Sequence, residues 1–480
     1  MKYEAVIGLE IHVELSTRSK LFCGCSTAFG AEPNSNCCPV CLGLPGTLPV
    51  LNRRAVELAV MAALALDCSV QELCRFDRKN YYYPDLPKAY QISQYDRPLA
   101  LGGGLDVDFP GGTRRIRLER VHLEEEAGKL IHAGDSIMNA AYSLVDYNRA
   151  GIPLLEIVTA PDLRSGKEAR LFLEALRTLL RYTGVSDVKM EQGSLRCDAN
   201  ISLRPPGSGK LGVKTEVKNM NSFRAVELAL DYEARRQAEI MERGGVVVQQ
   251  TCHWDEERKV TVPLRSKEGS ADYRYFPEPD LLPLRLECSF IEALKNELPE
   301  LPQRRSRRLQ EQYGLEPREA AFLTATRETA DFFEAAAESY SDYRNLANWI
   351  QGELIYQLRE TGLEISAVDP GLLVELLQML DSGEINRPTA KELLPELLQS
   401  GTSPLLLVQK RGLGRICGRA ALEPLVERVL AENSDAAESF RQGKEKALAF
   451  LVGRVMALTG GRADTGEVNE LLREKLSPSP

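Results

Sequence analysis

Near residue 290 the periodicity of this 480-residue chain changes, and that change constrains the fold more than any other feature. Before it, apolar residues recur at every second position; after it, Leu, Ala, Glu and Arg recur at helical spacing. In "YEAVIGLEIHVEL", Ala5, Ile7, Leu9, Ile11, Val13 and Leu15 fall on one face of a strand, and Glu10, His12 and Glu14 on the other. "SLRCDANISLR" repeats the pattern, with Leu195, Cys197, Ala199, Ile201 and Leu203 opposite Arg196, Asp198, Asn200 and Arg204. "VKTEVKN" sets Lys214, Glu216 and Lys218 on one face, so the intervening "PPGSGKLG" reads as a hairpin loop. Helices are expected in "NRRAVELAVMAALAL" from Asn52, in "SGKEARLFLEALRTLLRYTG" after Asp162, and in "NSFRAVELALDYEARRQAEIMERGG" with Asn221 or Ser222 as N-cap.

These elements predict an α+β chain whose mixed or antiparallel sheet lies in residues 1–290. An all-α helical domain follows over 291–405, and a small helical tail domain over 406–480 begins at the interrupting "SGTSPLLLVQKRGLG". A chain this long exceeds what one core usually serves.

Hydrophobic content of 43% with 27% charge belongs to a globular chain, and no run of about 18 apolar residues offers an ordinary membrane span. The net charge of -9 gives the whole molecule no nucleic-acid signature. From Lys410 to Pro480, however, twelve Lys and Arg meet ten Asp and Glu, leaving this tail at +2 and the remainder at -11. The tail is therefore the part best suited to a phosphate backbone.

Five of the eleven cysteines crowd into "CGCSTAFGAEPNSNCCPVC". The opening "MKYEAVIGLE" shows no apolar leader, so a reducing cytoplasm is expected and metal is favoured over disulfides. Cys23, Cys25, Cys38 and Cys41 fit C-x-C-x12-C-x2-C, a set suited to tetrahedral Zn²⁺, although Cys37 beside Cys38 leaves the third ligand ambiguous. The bland alternative is a group of reduced, buried cysteines. A zinc ligated by four thiolates has no open position, so its role would be structural.

Familiar catalytic motifs are missing. "GSGK" at 207–210 fails as a phosphate-binding loop, because Arg204 occupies the first glycine's place and Leu211 the hydroxyl position. No G-x-S-x-G nucleophile motif exists, and four histidines supply a triad poorly. The carboxylates say more. Glu156 lies inside the apolar "IPLLEIVT", where an ionised group is costly without a cation or metal. Glu124, Glu125 and Glu126 follow "RVHL", and Glu10 shares a strand face with His12. Taken singly, each has an ordinary reading: a solvated face, an exposed turn, a salt bridge. Taken together they suit a divalent cation of the kind that clamps phosphates, with His12 equally compatible with Mn²⁺ or Zn²⁺. Lys79, Lys88, Arg196, Lys214 and Lys218 form the cationic complement.

"VIGLEIHVEL", "FDRKNYYYPDLPKAYQISQ", "HLEEEAGK", "DYNRAGIPLLEIV", "GSLRCDANISLR" and "DYRYFPEPD" resemble the GatB family, the B subunits of the aspartyl/glutamyl-tRNA amidotransferases, and the likeness runs on to "GKEKALAFLVG" in the tail. The resemblance implies a cradle-like catalytic domain, a helical domain and a tail that helps to grip tRNA. It implies partners, an amidase-type glutaminase subunit and a small third subunit in a heterotrimer, and misacylated tRNA(Asn) or tRNA(Gln) as substrate. The expected reaction is ATP-dependent phosphorylation of the Asp or Glu side chain, then amidation by ammonia. Glu10, His12, Glu125 and Glu156 match the family's Mg²⁺ positions. Lys79 and Lys88, and with them Asp198 and Asn200, are assigned to the ammonia route or the phosphate side. The four cysteines match zinc-bearing members. Two other readings compete: a zinc-stabilised tRNA-binding scaffold, and a metal-dependent phosphoesterase acting on RNA without ATP.

Overall fold

The structure is a computed structural model that describes residues 3–133, 140–266 and 273–477. The chain divides into two compact units, Met1–Leu301 and Pro302–Pro480.

The first unit is built on a ten-stranded sheet. From one edge its order is Val260–Ser266, Gln250–Asp255, Thr215–Lys218, Leu195–Arg204, Glu4–Glu14, Pro153–Thr159, Gly112–Glu125, Ala100–Leu101 and Ser69–Val70, with Gly104–Phe109 also paired to Gly112–Glu125. Every pairing is antiparallel except Thr215–Lys218 with Gln250–Asp255. A parallel pair needs a crossover, which helix α3 (Phe223–Glu242) provides. The opening strand is central, flanked by Pro153–Thr159 and Leu195–Arg204. Its alternation is what the sequence predicts: Ile7, Leu9, Ile11 and Val13 are fully or almost fully buried in the apolar core.

Helices complete that core, among them Cys288–Glu297, which contributes Leu294. α1 (Arg53–Ala65) starts at Asn52, whose Oδ1 accepts from the Arg54 and Ala55 amides at 2.9 and 3.4 Å. α2 (Gly166–Tyr182) starts at Ser165, the first residue of the stretch expected to be helical. Asp162, just upstream, accepts from the Arg117 guanidinium at 2.7 Å. α3 takes Ser222, the second of the two candidates, as its cap. The face of α2 carrying Phe172, Leu173, Leu176 and Leu180 is completely buried, each side chain contributing about 1.5–3 kcal/mol of transfer free energy.

The second unit is helical throughout and holds two separate apolar clusters. One runs from Leu309 to Val408 and the other from Leu422 to Leu476. Helix Pro404–Arg411 packs Leu407 and Val408 into the first cluster, and Gly412, with φ +60°, ends it.

Candidate active site

Strand register assembles the polar face of the sheet. His12 lies opposite Arg196 on one neighbour and Glu156 on the other, and Glu156 lies opposite His122. Directly opposed residues share a face, so these four side chains form one row, with Glu124 two residues beyond His122 on the same side. His12 Nε2 stands 3.7 Å from Glu124 and 3.5 Å from Glu156. His122 Nε2 approaches the same carboxylates at 3.7 and 3.4 Å. Two imidazoles thus bracket two carboxylates, and Ser93 Oγ donates to Glu124 at 3.1 Å. His12, Glu124 and Glu156 each place a ligand atom within 4.8 Å of the others, a set that fits a divalent cation with oxygen and imidazole donors.

The electrostatics keep this group ionised. Burial opposes charge on Glu124, but Lys79, His122 and His12 outweigh it and hold the carboxyl down at about 2. Glu156 is likewise buried, and His122 and His12 keep it well below the usual carboxylate range. His122 is pushed the other way: burial disfavours its cation, yet Glu156 and Glu124 lift it to about 9. Lys79 is half-buried, and despite that desolvation Glu124, Tyr275 and Glu156 raise its pKa. Its ammonium lies 5.3 Å from the centre of the Tyr273 ring.

The structure places one expected member of the group elsewhere. Glu125 is expected beside His12 and Glu156, but a strand alternates its side chains, and Glu124 takes that place. Glu125 turns to the reverse face, where its carboxylate accepts from Lys88 Nζ and, at 2.8 Å, from the Ile92 amide. A cavity of about 200 Å³ opens there, lined by Lys20, Cys41, Lys88, Glu125 and Gly151 among others. Lys79 and Lys88, expected along one route, therefore stand on opposite sides of the strand end.

The glutamate run is not the exposed turn that one reading allows: Glu124, Glu125 and Glu126 are 2%, 3% and 5% exposed. Glu126 is paired with Arg196 and, at 3.4 Å, with Arg149. Glu10 is on the face of His12 but a row away, opposite Asp198, and its carboxylate accepts from Asn200 Nδ2 at 3.0 Å. Asp198 accepts from Lys218 at 2.5 Å. Lys214 precedes its strand and lines a cavity of about 240 Å³ shared with Glu10 and Asn200. His122 is not among the residues that sequence reasoning singles out, although its parity with Glu124 in "HLE" carries the information.

The cysteine loop resolves its own ambiguity. Cys23, Cys25, Cys38 and Cys41 bring their sulfurs within 4.8 Å of one another, while Cys37 turns to Asn148 Oδ1 at 3.9 Å. The donor set fits a tetrahedral thiolate site for zinc, and no cysteine is in a disulfide.

Fold and site together define a class: a sheet domain presenting a carboxylate–imidazole group able to hold a divalent cation, joined in one chain to an all-helical unit. No helix among the described residues is long and apolar enough to cross a membrane. Residues 5–292 match the family model described as the GatB/GatE catalytic domain, and residues 331–476 the one described as the GatB domain. The chain is 54% identical over 478 residues to the aspartyl/glutamyl-tRNA(Asn/Gln) amidotransferase B subunit of Carboxydothermus hydrogenoformans, covering 99% of each chain. It is 55% identical over 478 residues to the protein of that name from Moorella thermoacetica, covering 99% of this chain and all of the relative. The chain belongs to the GatB family, the B subunits of tRNA-dependent amidotransferases.

Proposed function

We propose that this subunit phosphorylates the side-chain carboxylate of Asp or Glu misacylated onto tRNA(Asn) or tRNA(Gln), using ATP, and then amidates it. The ammonia comes from an amidase-type glutaminase subunit, with a small third subunit completing the complex in the cytoplasm. The observation that carries this reading is the division of labour at one strand end. Glu124, with His12, Glu156 and Lys79, faces one way, and Glu125, with Lys88, faces the other.

In the first step a substrate carboxylate oxygen attacks the γ-phosphorus, an O–P bond forms, and the bond to the ADP oxygen breaks. In the second, ammonia attacks the acyl carbon, phosphate leaves with the C–O electron pair, and the nitrogen loses a proton. His12, Glu124 and Glu156 would hold Mg²⁺, which supplies positive charge to phosphate oxygens, the main demand of phosphoryl transfer. Lys79 adds a fixed cation beside them. Glu10, Asn200 and Lys214 border the adjoining cavity on the same face, where phosphate or nucleotide groups have room. Lys88 and Glu125 border the opposite cavity, where ammonia would arrive. The zinc loop is structural, and the tail domain contributes tRNA binding through its basic excess.

The test is a transfer assay on the complex with γ-labelled ATP and Mg²⁺, glutamine omitted so that the activated acyl group is not consumed. Wild type should turn over ATP only with Asp-tRNA(Asn) or Glu-tRNA(Gln) present, and the tRNA that works names the substrate. Glu156→Gln should not. Equal turnover in both proteins would remove this group from the reaction.

A further inference from the structure

Among the described residues, Lys20 is the one lysine buried in full. Its Nζ stands 3.6 Å from Cys41 Sγ and 3.2 Å from the Tyr147 carbonyl oxygen. Burying a lysine costs several kcal/mol unless negative charge is near, and among its described hydrogen-bond partners the thiolate alone can carry that charge. Four thiolates around one Zn²⁺ leave a net charge of about -2, which a buried ammonium offsets. Gly151, with φ +86°, lies where Lys20, Cys41 and Glu125 converge: a Cβ there would stand 3.5 Å from Cys41 Cβ and Lys20 Cδ and 3.9 Å from Glu125 Oε2. The thiolate loop therefore reaches the Glu125 side of the strand end.

It also touches the other partner there. Gly43, two residues after Cys41, carries φ +66°, and a Cβ on it would fall 2.2 Å from Lys88 Cγ and 3.1 Å from Lys88 Cβ. The loop backbone lies directly on the Lys88 side chain, whose ammonium is bonded to Glu125. Gly46, in the same loop, has φ +86° and nothing within 4 Å of the corresponding position. The requirement at Gly43 is therefore contact as well as conformation.

We infer that the metal-bound cysteine loop is a seat for Lys88: Lys20 holds the thiolate site from beneath, and Gly43 fixes the Lys88–Glu125 pair from above. Both are positioning residues. Zinc in this chain thus governs where the Lys88 ammonium sits, and through it the passage of ammonia. This rests on the reading that Lys88 and Glu125 border the ammonia route.

The experiment compares Gly43→Ala, Gly46→Ala, Lys20→Met, Lys20→Arg and Lys88→Met in the complex. It measures zinc per chain, zinc release to a colorimetric chelator, and the share of amide-labelled glutamine nitrogen delivered to tRNA. Gly43→Ala must push Lys88 aside by more than about 1 Å, and it should retain zinc and glutamine hydrolysis while nitrogen delivery falls by about ten- to a hundredfold, the scale expected for such misplacement. Gly46→Ala carries similar backbone strain without the contact and should deliver normally. Lys20→Met should release zinc at least about tenfold faster, and Lys20→Arg, which keeps a buried cation, should restore most of the retention. Equal delivery by the two glycine variants, or wild-type zinc release from Lys20→Met, would overturn the inference. Normal delivery by Lys88→Met would instead overturn the ammonia-route reading beneath it, so the two failures are distinguishable.

Discussion

Replacing Glu156 by Gln removes one of the two carboxylates that hold His122 protonated, and the consequence follows from the distances. At 3.4 and 3.7 Å, with an effective dielectric of about 20, each carboxylate favours the imidazolium by about 5 kcal/mol, or roughly 3.5 pH units. Complete burial pushes the other way by about 4 to 5 units. The difference is a rise of about 2 to 3 units, in line with His122 lying at about 9 against an ordinary 6.5. With one carboxylate gone, burial wins, and His122 should titrate near or below about 6. It would then be neutral at physiological pH. Raised pKa values stabilise the fold below the unfolded value and lose that contribution as pH rises through the folded one. In magnesium-free buffer, wild type should therefore lose about 3 kcal/mol between pH 6.5 and about 9, and the variant should not show that alkaline loss. Imidazole resonances of selectively labelled histidine, titrated in both proteins, give the pKa, and urea midpoints across the same range give the stability. A wild-type His122 titrating near 6.5, or an unchanged value in Glu156→Gln, would refute the bracketing of two carboxylates by two imidazoles.

Neighbouring glutamates should fail differently. Glu124→Gln should abolish aminoacyl-tRNA-dependent ATP turnover, whereas Glu125→Gln should retain it and lose glutamine-fed amidation; loss of ATP turnover in both would argue against two functional faces. Replacing Cys38 and Cys41 together by Ser should remove zinc from the chain and lower the melting temperature while sparing ATP-dependent phosphorylation in the folded fraction, and calorimetry with metal analysis checks it. Phe172→Ala, at a completely buried position on α2, should cost about 3–5 kcal/mol in urea unfolding of the first unit; a cost below about 1 kcal/mol would mean that the site collapses freely. Removing residues from 412 onward takes away the second helical cluster with its own core, so tRNA affinity should fall and ATP use by the first unit should persist. Filter binding at a fixed salt concentration decides it.

The opening strand and Leu195–Arg204 are legible in the sequence because their buried positions alternate with more exposed ones. Alternation in "GLEIHVEL" and "RCDANISL" assigns each side chain to a face, and the faces are those observed. Alternation fails where residue types stop contrasting. In "LEEE" three identical carboxylates carry no parity mark of their own, so only the pairing of Leu155 with Leu123 and of Glu156 with His122 shows which one shares the site. Two-residue strands such as Ser69–Val70 and Ala100–Leu101 are too short for any period. α2 starts where "SGKEARLFLEALRTLLRYTG" begins, because the Ser165 hydroxyl accepts from the Glu168 amide, while Asp162 upstream binds the Arg117 guanidinium. Spacing favours Cys38 over Cys37, and the fold supplies the reason: Asn148, far along the chain, takes the Cys37 thiol.

The three glutamates also explain how one strand end can serve two chemistries. Each buried carboxylate needs a cation, and Glu125 faces away from Glu124 and from Glu126, whose partner Arg196 lies in the row of His12. Lys79 with the imidazoles answers Glu124, Lys88 answers Glu125, and Arg196 with Arg149 answers Glu126. The third pair involves no proposed substrate group and ties the strand end to Arg196, the neighbour of His12 in the row. Glu126→Gln should therefore leave both cavities lined as before but loosen their relation. Its expected signature is a parallel fall in phosphorylation and amidation with a lower melting temperature. A change confined to one of the two reactions would place Glu126 on that reaction's side instead.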